Sequence, residues 1–131
     1  MTREKDKYVG LLERTAIANE AKAVLFISVH CNSSENAQAN GIEIIHHPSS
    51  RTGQKLADTI MDHLLPTGLR NRGVKSDQRG LAVLRHTTMP SVIIEVGFIS
   101  NWNEEQLMQD RDWLNGVAGA VAKGIKKYIG E

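Results

Sequence analysis

The chain has 131 residues, 40% of them hydrophobic and 24% charged, a composition that fits one globular domain with a sizeable core and excludes a disordered chain. Its 16 basic and 15 acidic residues are interspersed and leave a formal charge of +1, so the footprint of a nucleic-acid or anionic-membrane binder is missing. Cys31 is the only cysteine, which excludes an internal disulfide and a thiolate zinc cluster, and no apolar run approaches the roughly 18 residues of a membrane helix.

In chain order, the Met1–Lys7 stretch is charged and lacks the apolar segment of a secretory signal. Asp6 is suited to cap a helix running to about Ala21, with Val9, Leu12 and Ala16 on one face. Val24–His30 is short, apolar and β-branched, and reads as a buried strand. A polar loop rich in Asn and Ser follows, from Cys31 to Asn40. Gly41–His46 is a second strand. Ser49 or Ser50 then starts a helix with Leu56, Ile60 and Leu64 four residues apart, ended by Pro66 and Gly68. Leu69–Arg79 is polar and ambiguous, with room for a short strand near Val74. Leu81–Leu84 reads as a further candidate strand and Ser91–Glu95 as a buried one. Asn103 is expected to cap a short helix with acidic residues first, and Trp113, Val117, Val121 and Tyr128 mark a long final helix. Strands alternating with helices predict a single α/β domain, 1–131, with a largely parallel sheet. Such sheets gather their sites at the C-terminal ends of strands. His30 and Glu95 close two of these strands, so both are expected at one edge of the sheet.

The polar residues set in apolar runs are the candidates for chemistry. His30 is either a neutral zinc ligand or a histidine hydrogen-bonded at a strand terminus. Glu95 follows Val92, Ile93 and Ile94. A carboxylate there is expensive to bury alone, so it is paired, metal-bound or catalytic. Arg85 is a candidate partner for it, or a bidentate holder of a substrate carboxylate. Glu43 alternates with Ile42 and Ile44 and reads as a solvated residue, with the same cleft as the alternative. His46, His47 and His63 read as exposed, and His86 as a residue able to approach the cleft. Cys31 and His30 point oppositely on a strand, so a Cys–His dyad is disfavoured and a loop-buried thiol is expected.

Thr2-Arg3, Asp6, Leu11, Arg14, Ala18-Asn19 and Leu25-Phe26-Ile27-Ser28-Val29-His30-Cys31-Asn32, taken with Gly41-Ile42-Glu43, Leu81 to Arg85 and Pro90 through Glu95-Val96-Gly97-Phe98-Ile99-Ser100-Asn101, resemble the zinc-dependent N-acetylmuramoyl-L-alanine amidases. The resemblance covers nearly the whole chain. Its most specific parts are the Ser-x-His-x-Asn and Glu-x-Gly-Phe-x-Ser-Asn blocks occurring together. It implies an α/β domain with helices on both faces of the sheet. It also implies Zn2+ as cofactor, His30 as a metal ligand and Glu95 as the catalytic carboxylate. The substrate would be peptidoglycan, cut between N-acetylmuramic acid and L-alanine, outside a bacterial cell or in its wall, by a bacterial or phage protein. Asn32, Arg85 and Asn101 are candidate substrate-binding residues, and Gly97 is expected to permit close backbone approach beside Glu95.

The family's Asp-Pro-Gly-His-Gly block on the opening strand, and the glutamate on its following helix, have no match here. Three consequences are expected. The chain starts in mid-domain without the opening strand and first helix. Zinc is weakly held or absent, because a catalytic site takes three protein ligands. A sheet edge is left open to a second copy or to strand swapping. The alternative function is a metal-free fragment that binds peptidoglycan or a partner amidase, and a third reading draws zinc ligands from His46, His47 and His86.

Overall fold

The computed structural model describes residues 1–130. Its elements, in order, are α1 (Leu11–Glu20), β1 (Phe26–Asn32), β2 (Ile42–His46), α2 (Arg51–Leu64), a short 3-10 turn (Leu65–Thr67), β3 (Asn71–Ser76), α3 (Ala82–Arg85), β4 (Ser91–Phe98), α4 (Trp102–Met108) and α5 (Arg111–Ile129).

The four strands form one sheet in the order β1-β4-β2-β3. β1 runs parallel to β4 and β2 parallel to β3, while β2 and β4 meet antiparallel. The α/β architecture with a mostly parallel sheet is therefore present, with helices on both faces. On one face Ile42, Ile44, Val92, Ile94 and Val96 pack against α2 and α5 through Leu56, Ile60, Leu64 and Val117. On the other, Phe26, Ile45 and Ile93 pack against Ala18 of α1 and Val83 and Leu84 of α3. The second cluster is smaller and covers less of the sheet, and the uncovered part of that face holds the candidate site.

Local signals explain the strongest elements. Ser50 Oγ accepts the Gly53 N–H at 2.9 Å and so caps α2. The buried residues Leu56, Ala57, Ile60, Met61 and Leu64 then recur at helical spacing. Asp110 caps α5 by accepting from the Asp112 and Trp113 N–H groups.

Four sequence expectations need correction. α1 begins after Gly10, which gives no side-chain cap, so Asp6 does not start it. Its buried residues are Thr15 and Ala18, whereas Leu12 is 62% exposed. Thr15 fits this buried position because its hydroxyl donates back to the Leu12 carbonyl at 2.7 Å. Leu81–Leu84 is not a strand: Leu84 and Arg85 N–H groups both donate to the Leu81 carbonyl, winding the short helix α3. The cap of α4 is Asn101, not Asn103, and its side chain accepts the Glu104 N–H at 3.1 Å.

Candidate active site

β1 and β4 both run past the residues that sequence placed at their ends, to Asn32 and Phe98. His30 and Glu95 are therefore not strand termini. They converge through register instead: His30 lies directly opposite Glu95 across the β1–β4 pair, and Glu43 lies opposite Glu95 across β2–β4. Side chains opposite one another in register share a face of the sheet. A row of His30, Glu95 and Glu43 thus crosses three strands on the side of α1 and α3.

His30 and Glu95 line one hollow of about 190 Å³, walled also by Leu11, Ser28, Arg79 and Leu81. Ser28 Oγ sits 2.7 Å from His30 Nε2 and helps orient the ring. Glu95 is half-buried, and its Oε2 is buried with no hydrogen-bond partner. Burial pushes its carboxyl above the ordinary range. His30 partly offsets this, Glu43 adds to it, and Arg79 pulls the other way. A carboxyl held up in this manner is suited to taking and returning a proton.

β4 bulges immediately beyond this point. His30 pairs Glu95, but Asn32 pairs Phe98, so β4 carries one extra residue in that interval. Gly97 absorbs it at φ +128, and a Cβ there would meet Met108 Cε at 3.1 Å and Glu104 Oε1 at 3.2 Å. The close approach expected beside Glu95 is thus a packed bulge against α4.

Glu43 is not solvated. Its Oε2 receives Lys75 Nζ at 2.7 Å and Arg72 Nε at 3.3 Å, and its Oε1 receives Asn32 Nδ2 at 3.2 Å. Burial works against its charge, but Lys75 and Arg72 prevail and hold its carboxyl below the ordinary range. Asn32 is therefore near the site through Glu43.

Arg85 and Asn101 are engaged elsewhere. Arg85 does not pair with Glu95; its Nε lies 3.4 Å from Asp77 Oδ2. Asn101 donates to the Ala37 carbonyl at 3.2 Å besides capping α4. His46 is buried rather than exposed, with Nδ1 at 2.9 Å from the His47 carbonyl oxygen. His63 is half-buried and its Nδ1 lies 2.8 Å from the Thr59 carbonyl oxygen. His86 is exposed at the end of α3 and does not line the His30–Glu95 hollow. Cys31 lies exposed on β1 rather than buried in a loop. What burial it has, together with the Glu95 charge, raises its thiol pKa, the opposite of an activated nucleophile.

Three residues with positioning roles escaped the sequence reading. Glu104 is buried and accepts from Gly41 N–H and Phe98 N–H at 2.9–3.1 Å. It ties the start of β2 to the end of β4, which fixes the Glu43–Glu95 pairing. Its signal was the Asn101-x-x-Glu104 spacing of a helix start, although the carboxylate reaches outside its own helix. Asp77 and Arg79, in the loop after β3, carried no periodic signal.

No group of three or more His, Cys, Asp or Glu suited to a metal ion occurs among the described residues. His30 and Glu95 face one hollow, but the oxygens of Glu43 are already committed. A zinc centre with three protein ligands does not fit these residues alone.

A family model described as N-acetylmuramoyl-L-alanine amidase matches residues 1–127. The chain is similar to an endolysin of Bacillus phage SPP1, 38% identical over 136 residues, covering 98% of this chain and 49% of that protein. It also resembles the N-acetylmuramoyl-L-alanine amidase LytC of Bacillus subtilis (30% identical; 98% and 26% covered). Among solved structures, the catalytic domain of CwlV from Bacillus (Paenibacillus) polymyxa var. colistinus superposes with a TM-score of 0.91 at 37% identity, covering 98% of this chain and 70% of that one. AmiC2 of Nostoc punctiforme gives 0.91 at 32% identity, with 99% and 71% covered. The chain thus spans less than half the length of these two curated relatives. The match over 127 residues, with identity above 30% to a solved catalytic domain, places this chain in the N-acetylmuramoyl-L-alanine amidase family.

Proposed function

We propose that this chain acts on peptidoglycan, at or outside the cell wall, as the acid–base part of an amidase centre cutting between N-acetylmuramic acid and L-alanine. The observation supporting this reading is Glu95: a carboxyl with one orphaned buried oxygen, facing His30 in a shared hollow. Glu95 takes a proton from water as its oxygen adds to the lactyl carbonyl carbon. It then returns the proton to the alanine nitrogen as the C–N bond breaks, leaving a free carboxylic acid and a free amine. His30 is the residue here suited to ligate a metal. The described residues do not by themselves complete a zinc site.

The test is release of new L-alanine amino groups from purified peptidoglycan. Glu95→Gln removes at least the ~100-fold that acid–base help supplies, with the fold intact. Near-normal release by that variant overturns the assignment.

A second reading is favoured by the incomplete donor set: a catalytically silent unit that binds peptidoglycan or a partner amidase. Zinc content after dialysis, measured beside the release assay, separates the two. Release of amino groups supports the first, whatever the zinc content, whereas binding to sacculi without zinc or release supports the second.

A further inference from the structure

A second cavity, about 360 Å³, abuts the His30–Glu95 hollow and is lined by Glu43, Lys75, Ser76, Gln78 and Arg79. Arg79 belongs to the walls of both cavities. The cleft therefore continues past this residue from β4 toward β3. The charges along that continuation do not cancel. Lys75 and Arg72 share the single carboxylate of Glu43. The exposed Arg79 makes no ion pair among the described residues. Asp77, the other acid in the cavity wall, is sealed under backbone N–H groups and Arg85. The same Asp77 receives the Arg79 N–H at 2.8 Å, so the backbone that presents this guanidinium is fixed rather than free. A planar donor fork carried on an anchored backbone, beside a cationic surplus, is suited to a carboxylate.

We propose that Arg79, backed by Lys75, forms an anionic subsite that takes a carboxylate on the peptide of the molecule bound at Glu95. This rests on the reading of the hollow as a wall-peptide site and adds to it the class of peptide preferred: one with a free acid near the L-alanine, over its amide. Lys75 contributes through charge, and its removal also leaves the Glu43 carboxylate facing the incoming acid.

The test is calorimetric binding of N-acetylmuramoyl-L-alanyl-D-glutamate and of its isoglutamine amide, in the Glu95→Gln background to prevent turnover. The acid binds about tenfold more tightly than the amide, as one charge-assisted pair at a solvent-open position allows. Arg79→Ala removes that preference by weakening the acid alone, and Arg79→Lys restores part of it. Arg79 is exposed, so these variants fold. Equal binding of acid and amide, or equal weakening of both by Arg79→Ala, overturns the subsite and leaves the wall-peptide reading standing. Binding of neither ligand overturns that reading and the subsite with it. Inorganic phosphate competing as well as the acid shows a general anion site and overturns the carboxylate assignment.

Discussion

Asp77 exposes no side-chain surface, yet it is charged. Burial works against that charge. The Arg79 and Leu81 N–H groups, each at 2.8 Å, and the Arg85 guanidinium more than offset it and hold the carboxyl below its ordinary range. A carboxyl depressed on folding stabilises the fold above its unfolded pKa and loses that contribution as pH falls through its folded value. Urea unfolding followed from about pH 6 downward should therefore show stability falling below about pH 4. Asp77→Asn should cost about 1–3 kcal/mol at neutral pH and flatten that acid limb. An unchanged acid limb in the variant would remove Asp77 as its source. At this scale the sequence was informative where a polar residue interrupted an apolar run, as at His30 and Glu95. Arg79, Lys75 and Asp77 lie between Leu69 and Leu81, where no period marks one side chain as inward. Glu43 was misread because alternation gives its face but not the Lys75 and Arg72 that arrive from β3.

The α2–α5 pair shows how an element's own residues decide how closely it packs. Gly124 lies on the buried face of α5, and a Cβ there would sit 2.8 Å from the Ile60 Cα of α2. Gly116 and Gly119, on the same helix, have nothing within 4 Å of that position. Alanine gains about 1 kcal/mol over glycine in a helix interior. At Gly124 the gain is outweighed by overpacking against backbone, which costs about 1–3 kcal/mol. Gly124→Ala should thus lower the urea midpoint while Gly116→Ala and Gly119→Ala raise it, and a rise for all three would contradict the close crossing. Elements with many buried residues at one spacing, α2 and α5 among them, were legible in advance. Short ones were not. The four residues of α3 carry the same apolar letters as a strand, and only the hydrogen bonds onto the Leu81 carbonyl select a helix. The start of α1 was misplaced because Gly10 offers no side-chain cap to read.

At the scale of the whole molecule, the two edges of the sheet differ in kind. β3 ends the sheet on one side and carries Arg72 and Lys75, charges that discourage further strand pairing. β1 ends it on the other and reads Phe26-Ile27-Ser28-Val29-His30-Cys31-Asn32, with no lysine, arginine or proline. Val29, in its centre, is 54% exposed. Among the described residues β1 has β4 as its only strand partner, so the backbone groups on its far side form a seven-residue template. An edge strand of this kind, with unpaired backbone groups and no charge to block pairing, is open to a strand of a second copy. Sedimentation velocity over a concentration series should show reversible self-association of the chain. Val29→Lys places a charge on the open strand, and like charges on paired strands disfavour association by up to about 1 kcal/mol per pair, raising the dimer dissociation constant by up to about fivefold for each pair. The substitution is at an exposed side chain and leaves the fold in place, which thermal unfolding of the variant verifies. A wild-type chain that stays monomeric across the series, or a Val29→Lys variant that associates equally well, would show that the β1 edge does not pair.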